Sequence, residues 1–424
     1  MSLDIALSGI QAINDQLGTI SNNIANAGTF GFKASRANFA SQYSGDQASG
    51  TRIGSVTQTI GTVGSTLQTG RGLDAAINGR GFFVVKDGSN APSFTRVGIF
   101  DSDNAGFLVD QSGRRVQGFA QLPGSTVLGP LGDLSLPSGQ IPAVASTELS
   151  YLSNFSADWK APDPAVNPFV PPDPVAVPAT TPDPSSYNMS RVSVVYDSQG
   201  NQHSVTQYFV KAAAPNTVEV HFAIDGKGAP LAGIPMATLH FDANGKILDV
   251  NGGDPLLPKT LAVTFQPSVL DTTNGASDMN ITIDYSGSTH SAGEATTSVN
   301  KADGYAAGNF SGVELAGDGS VVAKYTNGER MTVGKVAVAT FASESQLTSI
   351  SDTSWQANLD SGTPLYTTPG TGLAGSLTTS ALEQSNVDVT TELVGLMVSQ
   401  RNYQANSKVI QTESAVLQSL MQAM

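Results

Sequence analysis

Few residues of this chain stand at spacings that could do chemistry. Gly370-Thr371-Gly372-Leu373-Ala374-Gly375 spells G-x-G-x-x-G. In a dinucleotide site that spacing brings backbone N–H groups onto a pyrophosphate, but it needs a strand before it and a helix after it. Here Thr367-Thr368-Pro369 precedes and Ser and Thr follow, so a linker is expected. Asp101-Ser102-Asp103-Asn104-Ala105-Gly106 begins like a calcium loop. Ala105 holds its fifth position and Ser112 its twelfth, where the loop requires oxygen donors and a bidentate Glu, so a turn is expected. The histidines, His203, His221, His240 and His290, show neither H-x-H nor H-x-x-x-H spacing, and a zinc site would have to be assembled by the fold. No G-x-S-x-G, P-loop or H-E-x-x-H occurs. There is no Cys, hence no disulfide, thiolate ligand or thiol nucleophile. The expectation is a protein that is not an enzyme and takes no cofactor or metal.

The ordered spacing lies at the two ends. Leu3, Ile10, Leu17 and Ile24 recur every seven residues, with Ala6, Ile13, Ile20 and Ala27 as a companion row. Val389, Leu396, Tyr403, Ile410, Leu417 and Met424 repeat the spacing near the C-terminus, with Leu393, Val409, Val416 and Ala423 alongside. A 3-4 apolar spacing over several turns predicts a coiled-coil seam. Asn14, Gln16, Ser21, Asn22, Asn23 and Asn26 make the opposite face amide-bearing rather than charged. Such a face suits packing against neighbouring helices, and a polymer interior is favoured over two helices closing a globule. Residues 3–27 predict a helix about 37 Å long, and 388–424 one of about 55 Å. Gly28 is expected to cap the first and the 385–388 stretch to start the second as a capping box. Gly9, Gly18, Asn22 and Asn23 are poor helix formers, so the first helix is expected to be disordered in a dilute monomer and to fold on assembly.

Composition points the same way. With 424 residues, two or three domains are expected. Gly numbers 44 and charged residues reach only 13%, a pattern of many short strands and turns. A net charge of −14 without a basic run argues against nucleic acid and anionic membrane. The N-terminal residues lack a basic stretch and carry Asp4 and Asp15, so no cleaved secretory signal is read there, and no run of 18 apolar residues suggests membrane insertion.

Along the chain, 1–27 plus 384–424 read as a terminal helical coiled-coil domain. Residues 28–70 read as an extended, partly hairpin-like connector with Phe30, Phe32, Phe39 and Tyr43 as anchors. Residues 71–145 plus 301–383 form a discontinuous β domain, and 146–300 an inserted outer β domain. The latter includes a low-complexity loop at 161–184, nine prolines in 24 residues. The expected fold is thus mainly β and multi-domain, with a terminal α-helical coiled-coil layer of paired N- and C-terminal helices and two β-rich outer domains.

Several runs resemble known sequences. Ser21-Asn22-Asn23-Ile24-Ala25-Asn26-Ala27-Gly28-Thr29-Phe30-Gly31-Phe32-Lys33 resembles the rod and hook signature of bacterial flagellar axial proteins. Within it, Asn22, Asn23, Asn26, Gly28, Phe30, Gly31 and Lys33 are the signature positions. The 69–83 run, Phe94-Thr95-Arg96 through Gly118-Phe119, the 382–388 run and the 400–408 run are similar to later blocks of that family. Rod members are shorter, and an insertion of this size matches the hook branch. The resemblance implies export through the flagellar type III apparatus without a cleaved signal, an extracellular place at the hook and basal body, and polymerisation under a hook cap onto the distal rod. It also implies a helical homopolymer whose terminal helices line an inner tube, joined to hook–filament junction proteins. A distal rod or junction component is the alternative, and a surface adhesin a remote one.

Overall fold

The computed structural model describes residues 2–44, 47–121, 127–137, 139–172, 180–228, 237–265 and 275–423. Met424 of the last heptad row and part of the proline-rich loop lie outside the described residues. Strands dominate, between two terminal helices, α1 (Ser2–Ala25) and α2 (Val389–Ala423). The chain divides into two compact units. Residues 1–138, 311–324 and 330–424 form one, and 139–310 with 325–329 form the other.

Helix α1 ends two residues before the expected position. The N–H of Asn26 donates to the carbonyls of Asn22 and Asn23, at 3.1 and 3.2 Å. The left-handed glycine after it is Gly31 (φ 68°) rather than Gly28. A Cβ at Gly31 would also come within 3.0 Å of Val97, so both backbone and space demand glycine there. Helix α2 is capped by Asp388 instead of Ser385. The Asp388 carboxylate accepts from the N–H groups of Thr390 (2.9 Å) and Thr391 (3.4 Å) and from the Thr391 hydroxyl (2.7 Å).

In the first unit, β1 (Ser35–Ser44) and β2 (Gln47–Gln58) form a bulged antiparallel hairpin within the region expected to be a connector. A large sheet follows, ordered among the described residues as Phe310–Leu315, Ser320–Tyr325, Arg330–Val336, Arg115–Gln121, Phe82–Lys86, Pro92–Thr95, Ser354–Gln356 and Thr348–Ile350. The apolar run Phe82-Phe83-Val84-Val85 is a strand buried on both faces. Phe83 and Val85 join Phe100, Val116 and Val336 on one side, and Phe82 and Val84 join Phe94, Phe341 and Trp355 on the other.

The second unit is a sandwich. One sheet orders Met189–Tyr196, Gln202–Lys211, Thr217–Ile224, Ala237–Phe241 and Ile247–Val250. The other orders Thr260–Phe265, Met279–Asp284, Glu148–Ser156 and Thr289–Ser291. Tyr151, Phe155, Phe209, Val220, Val263 and Ile281 meet in a single core between them. Turns led by aspartate set the hairpins. Asp197 accepts from the N–H groups of Gln199 and Asn201, and Asp242 from those of Asn244 and Lys246.

Candidate assembly interface

Helices α1 and α2 meet in antiparallel order. Asn23 donates to Glu392 at 2.9 Å, and Ser399 donates to Gln16 at 3.0 Å. A Cβ on Gly395 would lie 3.5 Å from Ile20, and one on Gly9 would lie 3.1 Å from Asn406. The α1 side of this contact is therefore Gly9, Ile13, Gln16, Ile20 and Asn23, spaced 4-3-4-3. Ala6, Ile13 and Ile20 are buried, while Leu3, Ile10, Leu17 and Ile24 are only half-buried. The companion row, interleaved with small and amide residues, thus faces α2. Gly9 sits in a helix despite its poor propensity because Asn406 takes the space its side chain would need.

On α2, Leu396 and Ile410 are half-buried, while Val389, Leu393, Tyr403 and Leu417 are exposed, as are Met397, Val398, Val409, Leu420 and Met421. A groove of about 340 Å³ opens between α1, α2 and the hairpin, walled by Ile13, Phe39, Val398 and Asn402. Phe39 and Tyr43 are exposed instead of serving as buried anchors within the chain, and Phe30 and Phe32 are half-buried.

The signature residues serve the turn after α1. Asn23 is buried, and its side-chain amide exchanges two hydrogen bonds with the Ser35 backbone, at 2.8 and 2.9 Å. Asn26 donates to Asn22 and accepts from the Thr29 hydroxyl. Gly28 is exposed with open space around it. Gly31 N–H donates to the Glu383 carbonyl at 2.8 Å.

Lys33 leads into a buried charge cluster. Its ammonium lies 2.5 Å from Glu383 and donates to the Thr62 carbonyl at 2.7 Å. The other Glu383 oxygen lies 3.3 Å from Arg96, and the Gly64 N–H donates to the first at 3.0 Å. Arg96 also donates to the Gly79 carbonyl at 2.9 Å and lies over the Phe82 ring. Burial pushes the pKa of both Lys33 and Arg96 down, and Glu383 pulls each back. Segments near 31–33, 62–64, 77–79, 96 and 383 are thereby joined through one carboxylate. Arg96 and Glu383 were not singled out from sequence. The available signal was a charge placed inside otherwise apolar strand runs.

The residues weighed for catalysis do not come together. The 370–375 glycines form a turn between strands Leu365–Thr367 and Ser376–Thr379, with Gly370 N–H bonded to the Gly375 carbonyl. Asp103 caps its own turn by accepting from Phe107 N–H. His203 lies between Asp225 (2.7 Å) and Asp197 (3.3 Å), and His240 pairs with Asp249 at 2.7 Å. Among the described residues no group of three His, Asp or Glu side chains is arranged to hold a metal ion.

Comparison with known proteins accounts for nearly the whole chain. Residues 3–33 match the flagella basal body rod protein family, 76–145 the flagellar hook protein FlgE/F/G D1 domain, 163–305 the flagellar basal body protein FlaE D2 domain, and 378–423 the flagellar basal body rod FlgEFG protein C-terminal family. The flagellar hook protein FlgE of Escherichia coli K12 is 33% identical, covering 99% of each chain. That of Salmonella typhimurium LT2 is also 33% identical with 99% of each covered, and that of Rhizobium meliloti 1021 is 32% identical over 98% of this chain and 97% of its own. In fold, the chain is similar to the crystal structure of Helicobacter pylori flagellar hook protein FlgE2, at TM-score 0.50 and 14% identity over 73% of this chain and 98% of that one. Full-length similarity at this level shows the family: the chain belongs to the flagellar hook proteins, as a structural subunit.

Proposed function

We propose that this chain polymerises into a flexible tubular joint that carries motor torque from rod to filament, with α1 and α2 pairing as the coiled-coil lining of the inner tube. The observation that carries the reading is α2 itself. It is a helix of 35 residues that meets α1 through Glu392, Gly395, Ser399 and Asn406, while Leu393 and Met397, on its other side, and Leu417 and Leu420, C-terminal to that row, are left in solvent. Exposed apolar side chains spread along this length are costly in a free monomer and are covered when neighbouring helices pack against them. The partners are then further copies of the chain, the distal rod, the hook cap, the junction proteins and the type III export apparatus. No membrane insertion or nucleic acid enters the reading.

Deleting the gene and imaging extracted basal bodies by negative-stain electron microscopy tests it. Rods that end without a hook are expected. Missing distal rods would move the protein to the rod, and complete hooks without filaments would move it to the junction.

A further inference from the structure

The 139–310 unit presents an apolar knob that its own core does not use. Asp254-Pro255-Leu256-Leu257-Pro258-Lys259 links the marginal strand of one sheet (Ile247–Val250) to the marginal strand of the other (Thr260–Phe265). Leu256 is 92% exposed and Leu257 61%. The turn beneath them is built firmly. The Asp254 carboxylate accepts from Leu256 N–H at 2.9 Å, the Asp254 carbonyl accepts from Leu257 N–H at 3.0 Å, and Lys259 donates to the carbonyls of Pro255 and Leu257 at 2.7 Å. An ordered turn removes the backbone's share of the ordering cost on docking.

A cleft of about 230 Å³ lies toward the other margin of the sheet that holds Ile247–Val250, at Gln202–Lys211 and Thr217–Ile224. Pro162, Pro168 and Phe169 of the proline-rich segment form one wall and Val210 another, with Lys211 and Glu219 also lining it. Phe169 is seated on His221 (4.2 Å between ring centres) and on Tyr208 (5.5 Å). Neither leucine lines the cleft of its own chain.

We propose that Leu256 and Leu257 of one subunit dock in this cleft of a second copy. The charges are complementary in sign: Asp254 and Lys259 flank the leucines, and the cleft is lined by Glu219 and by Lys211, whose ammonium also donates to the carbonyls of Ala214 and Thr217. Knob and cleft are different patches, so the contact is heterologous and propagates from copy to copy without closing a dimer. The inference rests on the hook reading. It assigns the proline-rich loop a role as one wall of a contact between subunits.

The absence of cysteine allows a clean test. Ala212 and Ala213 also line the cleft, so Leu256→Cys with Ala213→Cys is expressed in place of the natural chain, and purified hooks are oxidised and run without reductant. A ladder of dimers, trimers and higher species is expected, with each single variant remaining monomeric, because a disulfide forms only where the two Cα atoms approach within about 7 Å. Leu257→Cys with Ala212→Cys is read in its place if the first pair blocks assembly. Hooks of normal length that yield only monomers overturn the proposal. So does dimer formation by Leu256→Cys alone, which would set knob against knob, or a band joining the chain to a protein of different mass. Absence of the chain from purified hooks sinks the hook reading instead.

Discussion

Glu383 sits with both oxygens engaged and no exposure, and among the described residues its charge is balanced by Lys33, Arg96 and the Gly64 N–H. Removing one member of a buried ion network leaves another uncompensated, at a cost of about 3–5 kcal/mol. Glu383→Gln is therefore expected to lower the unfolding free energy of the purified chain, read from urea melts, by that amount, whereas Arg115→Gln, at a half-exposed ion pair with Asp133, should change it by less than about 1 kcal/mol. The histidines of the second unit make stability depend on pH with opposite signs. Burial holds His221 at a pKa of about 4, stacked on Phe169 with Glu219 4.0 Å away. The unfolded chain takes up that proton first as pH falls, so the contribution of His221 is complete above its ordinary pKa near 6.5 and lost between there and about 4. Unfolding free energies from urea melts at pH 7.5 and 4.5 should differ by a loss on the order of 2 kcal/mol that His221→Phe reduces. For His203, burial alone would lower the pKa, but hydrogen bonds to Asp225 and Asp197 raise it. Its contribution is therefore present below its ordinary pKa and lost as pH rises through the folded value, and His203→Gln should remove that alkaline loss.

At the level of elements, α1 is held by two kinds of neighbour. The row Ile13 and Ile20 with Gly9, Gln16 and Asn23 faces α2, and the Ser8 hydroxyl accepts from Thr51 N–H of β2 at 3.2 Å. Leu17 and Ile410 are half-buried in the single chain and serve, in the proposed polymer, to pack between copies. Leu17→Asp or Ile410→Asp should abolish swimming and hook formation, since each would place an unpaired charge in a closed apolar contact. The monomer's stability should change much less, and urea melts of the same variants check that half. Normal swimming with either variant would contradict the assignment of these rows to assembly. The heptads were legible because apolar side chains announce a 3-4 spacing. Which row meets α2 was not, because the choice was made by small and amide residues that hydrophobic periodicity passes over.

For the whole molecule, a bending, rotating tube must shorten on one side and lengthen on the other during each turn. Close-packed helices resist such change. We propose that the inserted domain 146–300 tunes stiffness and curvature while the terminal helices keep the polymer intact. Deleting 146–300 should give hooks of altered curvature by electron microscopy, and unchanged curvature and flexibility would refute the assignment. Much of this molecule was determined by local chemistry that one sequence carries. Asp-x-x-Gly turns, alternating strand residues and heptad spacing act over a few residues, so the β-rich body, the two terminal helices and the hairpins at 191–211 and 238–250 could be read directly. Pairings between distant segments could not. The parallel partnership of Glu148–Ser156 with Met279–Asp284, the choice of the companion row for α2, and the meeting of Lys33, Arg96 and Glu383 each join residues more than 60 positions apart. Only the packed fold decided these, because a carboxylate or a strand edge is indifferent to sequence distance and selects whichever partner burial brings within hydrogen-bonding reach.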